Sequence, residues 1–244
     1  MIGKIIKFGI LGILGCIVLF VAGLWLWFGS NHYEWRQKIT VNVDTPQGPV
    51  SASAVQNVVV EKGRNPVPGH PPGSRSMVTG EAVSLDLGNG HYLFALLKVA
   101  RDDVGAGNIG DIITRITSPK LGARTHPALK RSENLPVGAS YLIPQRYYPL
   151  LVTFDDINDP SSVKQVNPDN LAASFGAGYS LKSMTVEITR EPISAGHIDT
   201  LLSWIPSFIA NGYRLNGEKC IACPISSDRL ADLLSGTSFK LGEK

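Results

Sequence analysis

Cys220-Ile221-Ala222-Cys223 is a CxxC, a spacing used for thiol–disulfide exchange and for metal binding. Exchange needs the first thiol at a helix N-terminus behind a buried strand, where the helix dipole favours the thiolate. Here the polar run Asn216-Gly217-Glu218-Lys219 precedes the pair and Pro224 follows it. Zinc needs four ligands, and the histidines His32, His70, His91, His126 and His197 show no paired spacing. In an oxidising compartment a local disulfide pinning a loop is the expectation for Cys220 and Cys223. Inert thiols, or a redox or metal role, are the alternatives. Ser161 and Lys164 form an SxxK, in which the amine would activate the hydroxyl as in Ser–Lys hydrolases. Their flanks, Asp159-Pro160 and Asn167-Pro168, predict a loop or short strand instead of the helix start that aligns such a pair, and SDN and KTG are absent.

Two charged groups remain. Asp155, Asp156, Asn158 and Asp159 gather enough oxygens to suggest calcium. Counted from Asp156, however, the fifth position of a calcium loop is Pro160, so an Asx-Pro turn is expected. Arg115, Lys120, Arg124, Lys130 and Arg131 lie between Asp111 and Glu133 with no acid among them. Such a strip suits anionic lipid, peptidoglycan or an acidic partner, although a solvated face is the commoner role of a charge run. No GxSxG, P-loop or HExxH occurs. No catalytic residue, cofactor or metal ligand is therefore assigned.

The elements that must position these residues read as mainly β. Residues 37–44 alternate, with Ile39, Val41 and Val43 on one face, and predict a half-buried strand. Thr45-Pro46-Gln47-Gly48-Pro49 turns the chain into a second run, residues 50–61, so the pair reads as a hairpin. The breaker-rich residues 63–76 predict a loop. Residues 82–87 and 91–98 flank Gly88-Asn89-Gly90, a second hairpin. Residues 150–154 and 181–189 are further strands, the latter burying Met184, Val186 and Ile188. Helices are few. One is expected after an Asn167 cap with Pro168 at its first position and Gly176 just past its end. Others follow from Ile198, Leu201, Leu202 and Ile205, from Leu230, Leu233 and Leu234, and for a turn or two near residues 112–116. His126-Pro127 suggests an irregular loop.

The N-terminus is of another character. Residues 8–28 carry no charge and are nearly all apolar or Gly. At ~1.5 Å per residue such a helix spans about 30 Å, the thickness of a bilayer's hydrocarbon core. Lys4 and Lys7 precede it, and Trp25, Trp27, Phe28, Tyr33 and Trp35 follow like an interfacial belt. The run is too long for a cleaved signal peptide, and Ile13-Leu14-Gly15-Cys16 only loosely resembles a lipoprotein box. The expected organisation is a cytoplasmic N-terminus (1–7), a transmembrane signal anchor (8–28), a juxtamembrane linker (29–36) and a β-rich extracytoplasmic domain (37–244). Gly9, Gly12, Cys16 and Gly23 recur at heptad spacing, a small-residue seam through which two such helices could self-associate. The 244 residues hold 23 Lys plus Arg against 20 Asp plus Glu, a balance that gives no reason to expect nucleic acid.

The run Tyr148-Pro149-Leu150-Leu151-Val152-Thr153-Phe154-Asp155-Asp156-Ile157-Asn158-Asp159-Pro160 continues through Val163, Val166, Asn167-Pro168, Leu171 and Ser174-Phe175-Gly176-Ala177-Gly178. It resembles a family of uncharacterised, mostly alphaproteobacterial, single-pass membrane proteins, in which TFxDIxDP leads through NPxxL to FGxG. Trp35-Arg36-Gln37-Lys38 and Asp86-Leu87-Gly88-Asn89-Gly90 are similar to that family too, and the likeness covers most of residues 35–210. The resemblance implies a bacterial inner-membrane protein, and it brings no activity and no catalytic residues. The functional expectation is a noncatalytic binding or structural module of the envelope, held by its single-pass anchor with the bulk of the chain periplasmic. The alternative is an envelope enzyme using Cys220 with Cys223 (redox) or Ser161 with Lys164 (hydrolase).

Overall fold

A computed structural model describes residues 15–23, 30–63, 73–99, 107–219, 227 and 229–242. The chain divides into two compact units, Met1–Tyr33 with Val60–Arg75 and Glu34–Val59 with Ser76–Lys244. In the first unit, residues 15–23 form a helix, α1, with every residue exposed. Gly63 N–H donates to the Gly73 carbonyl at 2.9 Å in the same unit. Among the described residues no helix is long and apolar enough to cross a membrane. Most of the 8–28 anchor and both Cys220 and Cys223 lie outside the described residues, as do Gly9 and Gly12.

The expected alternation appears in β1 (Ser30–Thr45), where Trp35, Gln37, Ile39, Val41 and Val43 are buried and the residues between them are not. Period-two burial requires a sheet with one covered face, and this row supplies it. Two readings are corrected here. Residues 30–36 of the expected linker are strand, and Tyr33 and Trp35 belong to its buried row, not to an exposed belt. A two-residue turn at Pro46-Gln47 leads to β2 (Gly48–Gly63). Thr45 Oγ1 fixes that turn by donating to the Gly48 carbonyl at 2.8 Å.

The segment read as a loop to residue 76 gives way at Ser74 to a further strand, β3 (Ser74–Glu81). The second hairpin is as expected: β4 (Val83–Asp86) and β5 (Tyr92–Val99) join through Asn89 at φ +55°. Next come β6 (Gly107–Asn108) and the helices α2 (Ile112–Thr117) and α3 (His126–Glu133). The loop expected at His126-Pro127 is thus the first turn of α3, where a proline's missing N–H breaks no bond. The chain continues through β7 (Ser140–Leu142), β8 (Pro149–Phe154), β9 (Val163–Gln165), the single turn α4 (Ala172–Phe175) and β10 (Ser180–Ile188). Asn167 does not cap α4. It accepts from Asp169 N–H at 2.9 Å within a turn of its own, and the helix starts after Leu171. The closing elements are α5 (His197–Leu201), α6 (Ile205–Asn211) and β11 (Lys240–Leu241). In place of the last helix there is a 3-10 turn, Leu230–Asp232.

The strands form two sheets, in the orders β11-β3-β2-β1-β10-β7 and β4-β5-β8-β9, with β6 also on β5. β10 runs antiparallel to β1, placing Ile39 opposite Val186 and Val41 opposite Met184. Both ends of the larger sheet are strands of two or three residues, too short to template another chain readily. On the smaller sheet Phe94, Leu96, Val152 and Val163 pack with Ile198 and Ile205 of the last helices, with Leu202 between them, and with Leu215, Leu234 and Phe239. Edge-to-face aromatic pairs knit this core: Phe94 with Phe239 at 5.7 Å and Phe154 with Trp204 at 5.9 Å.

Candidate functional site

The distinctive segment after β8 is used to build its own loop. Asp156 Oδ1 accepts from Asn158 N–H at 2.9 Å, and Asp159 Oδ1 accepts from Ser161 N–H at 2.9 Å and Ser161 Oγ–H at 2.7 Å. The Ile157 carbonyl accepts from Trp204 Nε1 at 3.0 Å, tying the loop to the aromatic core. These are the Asx turns that the Asp-Pro spacing predicts. Among the described residues no three His, Cys, Asp or Glu side chains gather as a metal site. The FGxG at the end of the segment also has a local reason. Gly176 follows α4 at φ +101°, and Gly178 sits at φ +90° with Pro46 so close that a Cβ would lie 2.9 Å from its ring.

Ser161 and Lys164 border one cavity of about 530 Å³ but are paired with different carboxylates. Ser161 donates to Asp159, whereas Lys164 Nζ is 2.6 Å from Asp155 in an exposed ion pair. Lys164 is thus directed at Asp155 and not at Ser161, whose hydroxyl already has its own acceptor. Across the same cavity, Ser227 Oγ donates to Asp232 at 2.7 Å, and Asn216 donates to the other oxygen at 2.9 Å. The Ser227 bond, then the Asn216 bond and nearby Arg229, hold the Asp232 carboxyl below its usual range.

The basic strip is brought partly together around one buried acid. Arg124 forks onto Asp111 at 3.2 and 3.4 Å, and Arg115 approaches the same carboxylate at 3.7 Å. Arg131 donates to the Thr117 carbonyl at the end of α2 at 2.9 Å. Lys120 and Lys130 point into solvent. Arg124 and Arg131 thus tie the loop and α3 to α2, and Arg115 pairs within the start of α2 itself.

A second buried acid has no counterpart in the sequence reading. Glu81, 1% exposed at the end of β3, accepts from Gly196 N–H at 2.6 Å, His197 N–H at 3.2 Å and Ile198 N–H at 3.3 Å. It therefore caps α5 from a different element, where the helix's own cap residue, Gly196, has no side chain to offer. Lys240, directly across the ladder from Glu81, forms an ion pair with Asp199 of the same helix.

A smaller cavity of about 350 Å³ lies beside β5. Antiparallel pairing of β5 with β8 slips between Ala95 and Val99: those two residues sit opposite Leu151 and Pro149, so β5 carries extra residues there. Such a bulge re-aims side chains. Lys98 lies in this stretch and lines the cavity with Phe208 in the middle of α6 and with Tyr213 and Arg214 beyond that helix. An isolated bridge between Arg214 and Ser235 brings Ser235 beside Arg214, and Ser235 and Thr237 also line the cavity. Burial, and then the neighbouring Arg214 charge, push the Lys98 amine below its ordinary value. Sequence reasoning missed this site because its residues come from three segments without shared spacing. The chain matches no family model, no curated protein and no solved structure.

Proposed function

We propose that the chain is a single-pass protein of the bacterial inner membrane, with a cytoplasmic N-terminus and a periplasmic β-rich domain that serves as a noncatalytic binding or structural module. The observation that carries the anchor is α1. Its Ile17, Val18, Leu19, Phe20 and Val21 are 52–74% exposed, within the uncharged run of residues 8–28. Each large apolar side chain moved from water into an apolar phase gains roughly 1.5–3 kcal/mol, so a helix that shows five of them to solvent is adapted to lipid. Cys16 and Gly23, one heptad apart on this helix, leave a small-residue seam for a second copy.

The noncatalytic reading is supported by the separate pairing of Ser161 with Asp159 and of Lys164 with Asp155. Lys120 and Lys130, exposed near Arg124, offer a face to an acidic envelope partner. The resemblance of the segment from Thr153 to Gly178 to inner-membrane proteins points the same way. Topology is tested with a reporter fused after Lys244. Activity in the periplasm and retention of the chain in carbonate-washed membranes are expected. A reporter active only in the cytoplasm overturns the orientation. Affinity purification from crosslinked membranes, read by mass spectrometry against a topology-matched control, tests the binding role.

A further inference from the structure

We infer that the cavity beside β5 binds a small organic anion, with Lys98 as the group that meets its charge and Phe208 and Tyr213 as the walls for its apolar part. Three observations lead there. First, Lys98 is half-buried and has no carboxylate partner among the described residues. Among the described residues no Asp or Glu lines the cavity, and the other charged group on its described wall, Arg214, is a second cation. A cation drawn out of water beside a like charge is an unfavourable arrangement that a bound anion reverses. Structural lysines of this chain are treated differently: Lys38, Lys164 and Lys240 each meet a carboxylate.

Second, the remaining polar wall can donate. Ser235 Oγ and Thr237 Oγ1 are 2.8 Å apart, so one hydroxyl hydrogen satisfies that contact and the other is free for a ligand oxygen. Third, about 350 Å³ is the lower end of the range for small-molecule sites and suits a single ring carrying one acidic group. The depressed basicity of Lys98 fits the same picture, because it describes the penalty on the ammonium while no anion is present.

The inference is independent of the membrane topology, and a failed topology test leaves the following experiment unchanged. Full-length protein in detergent is titrated with phenyl phosphate, benzoate and the neutral benzyl alcohol, with binding read by calorimetry. Saturable binding of at least one of the two acids and none of the alcohol is expected. The preferred acid distinguishes a phosphate head from a carboxylate. Lys98→Met, which keeps the side-chain volume, is expected to weaken binding at least tenfold without lowering the melting temperature. Thr237→Val, at an exposed position, is expected to weaken it a few-fold and serves as the second variant. Neither acid saturating by about 10 mM, a concentration that populates even weak specific sites, overturns the proposal. So does binding that Lys98→Met leaves intact.

Discussion

Replacing Glu81 by Ala removes a buried carboxylate that three consecutive N–H groups share at 2.6, 3.2 and 3.3 Å. A hydrogen bond to a charged group contributes about 1.5–3 kcal/mol, but three on one acceptor are not additive. Leaving the donors of Gly196, His197 and Ile198 without an acceptor, in a site where Glu81 is 1% exposed, admits little water to replace it. Removing one side of a buried charge arrangement costs roughly 3–5 kcal/mol. For a folded region of this size each kcal/mol lowers the melting temperature by about 2–4 °C, so Glu81→Ala should melt roughly 6–20 °C below the parent. Circular dichroism of the full-length chain in detergent reads this directly. Glu81→Gln keeps one acceptor oxygen and loses the charge, and it should lose about half as much. A loss below about 1 kcal/mol in the Ala variant would refute the reasoning, because water must then be satisfying α5. Equal losses in Ala and Gln would show that the charge, not the oxygen geometry, is the whole effect.

Gly178→Ala should destabilise by about 1–2 kcal/mol, since it combines a left-handed backbone with a Cβ placed 2.9 Å from Pro46. Gly176→Ala, with open space around its Cβ, isolates the backbone part, and denaturant midpoints of the two variants give the difference. Lys98→Met should stabilise the protein by about 1 kcal/mol at neutral pH, in line with the gain when buried charge gives way to apolar volume. The sign extends to pH. The folded amine releases its proton below the ordinary lysine value, so the unfolded chain binds more protons between that lowered value and about 10.5. Stability of the parent should therefore gain a rising contribution across that window, and Lys98→Met should lack it. A pH series of urea midpoints that is parallel for the two proteins would contradict this.

The two hairpins were legible because each carries a strong local instruction: Ile39, Val41 and Val43 alternate, and Gly88-Asn89-Gly90 supplies the left-handed turn. What escaped depends on partners far along the chain. The outer end of β3, Ser74-Arg75-Ser76, has no apolar alternation and is strand because of its place in the larger sheet. In α3 only Ala128 and Leu129 among the apolar residues are buried, and the helix leans on Arg131 reaching back to Thr117. Glu81 looks like one more surface acid until Gly196 arrives, and Lys98 like an ordinary strand lysine until Arg214 does. Local rules of spacing carry no information about either meeting.

The position of Phe239 and Lys240 fixes an order of events. Phe239 packs on Phe94 and Trp204, its carbonyl accepts from Ala82 N–H at 2.7 Å, and Lys240 lies across from Glu81. The strands of the small sheet are complete once Gln165 has been made, but its aromatic core lacks Phe239 until that residue has been made and turned back. Ile198, Leu202, Trp204 and Ile205 can cover Phe94 and Phe154 earlier, and Phe239 completes that cover last. A chain truncated before residue 239 would leave Phe94 without its edge-to-face partner and Ala82 N–H without its acceptor.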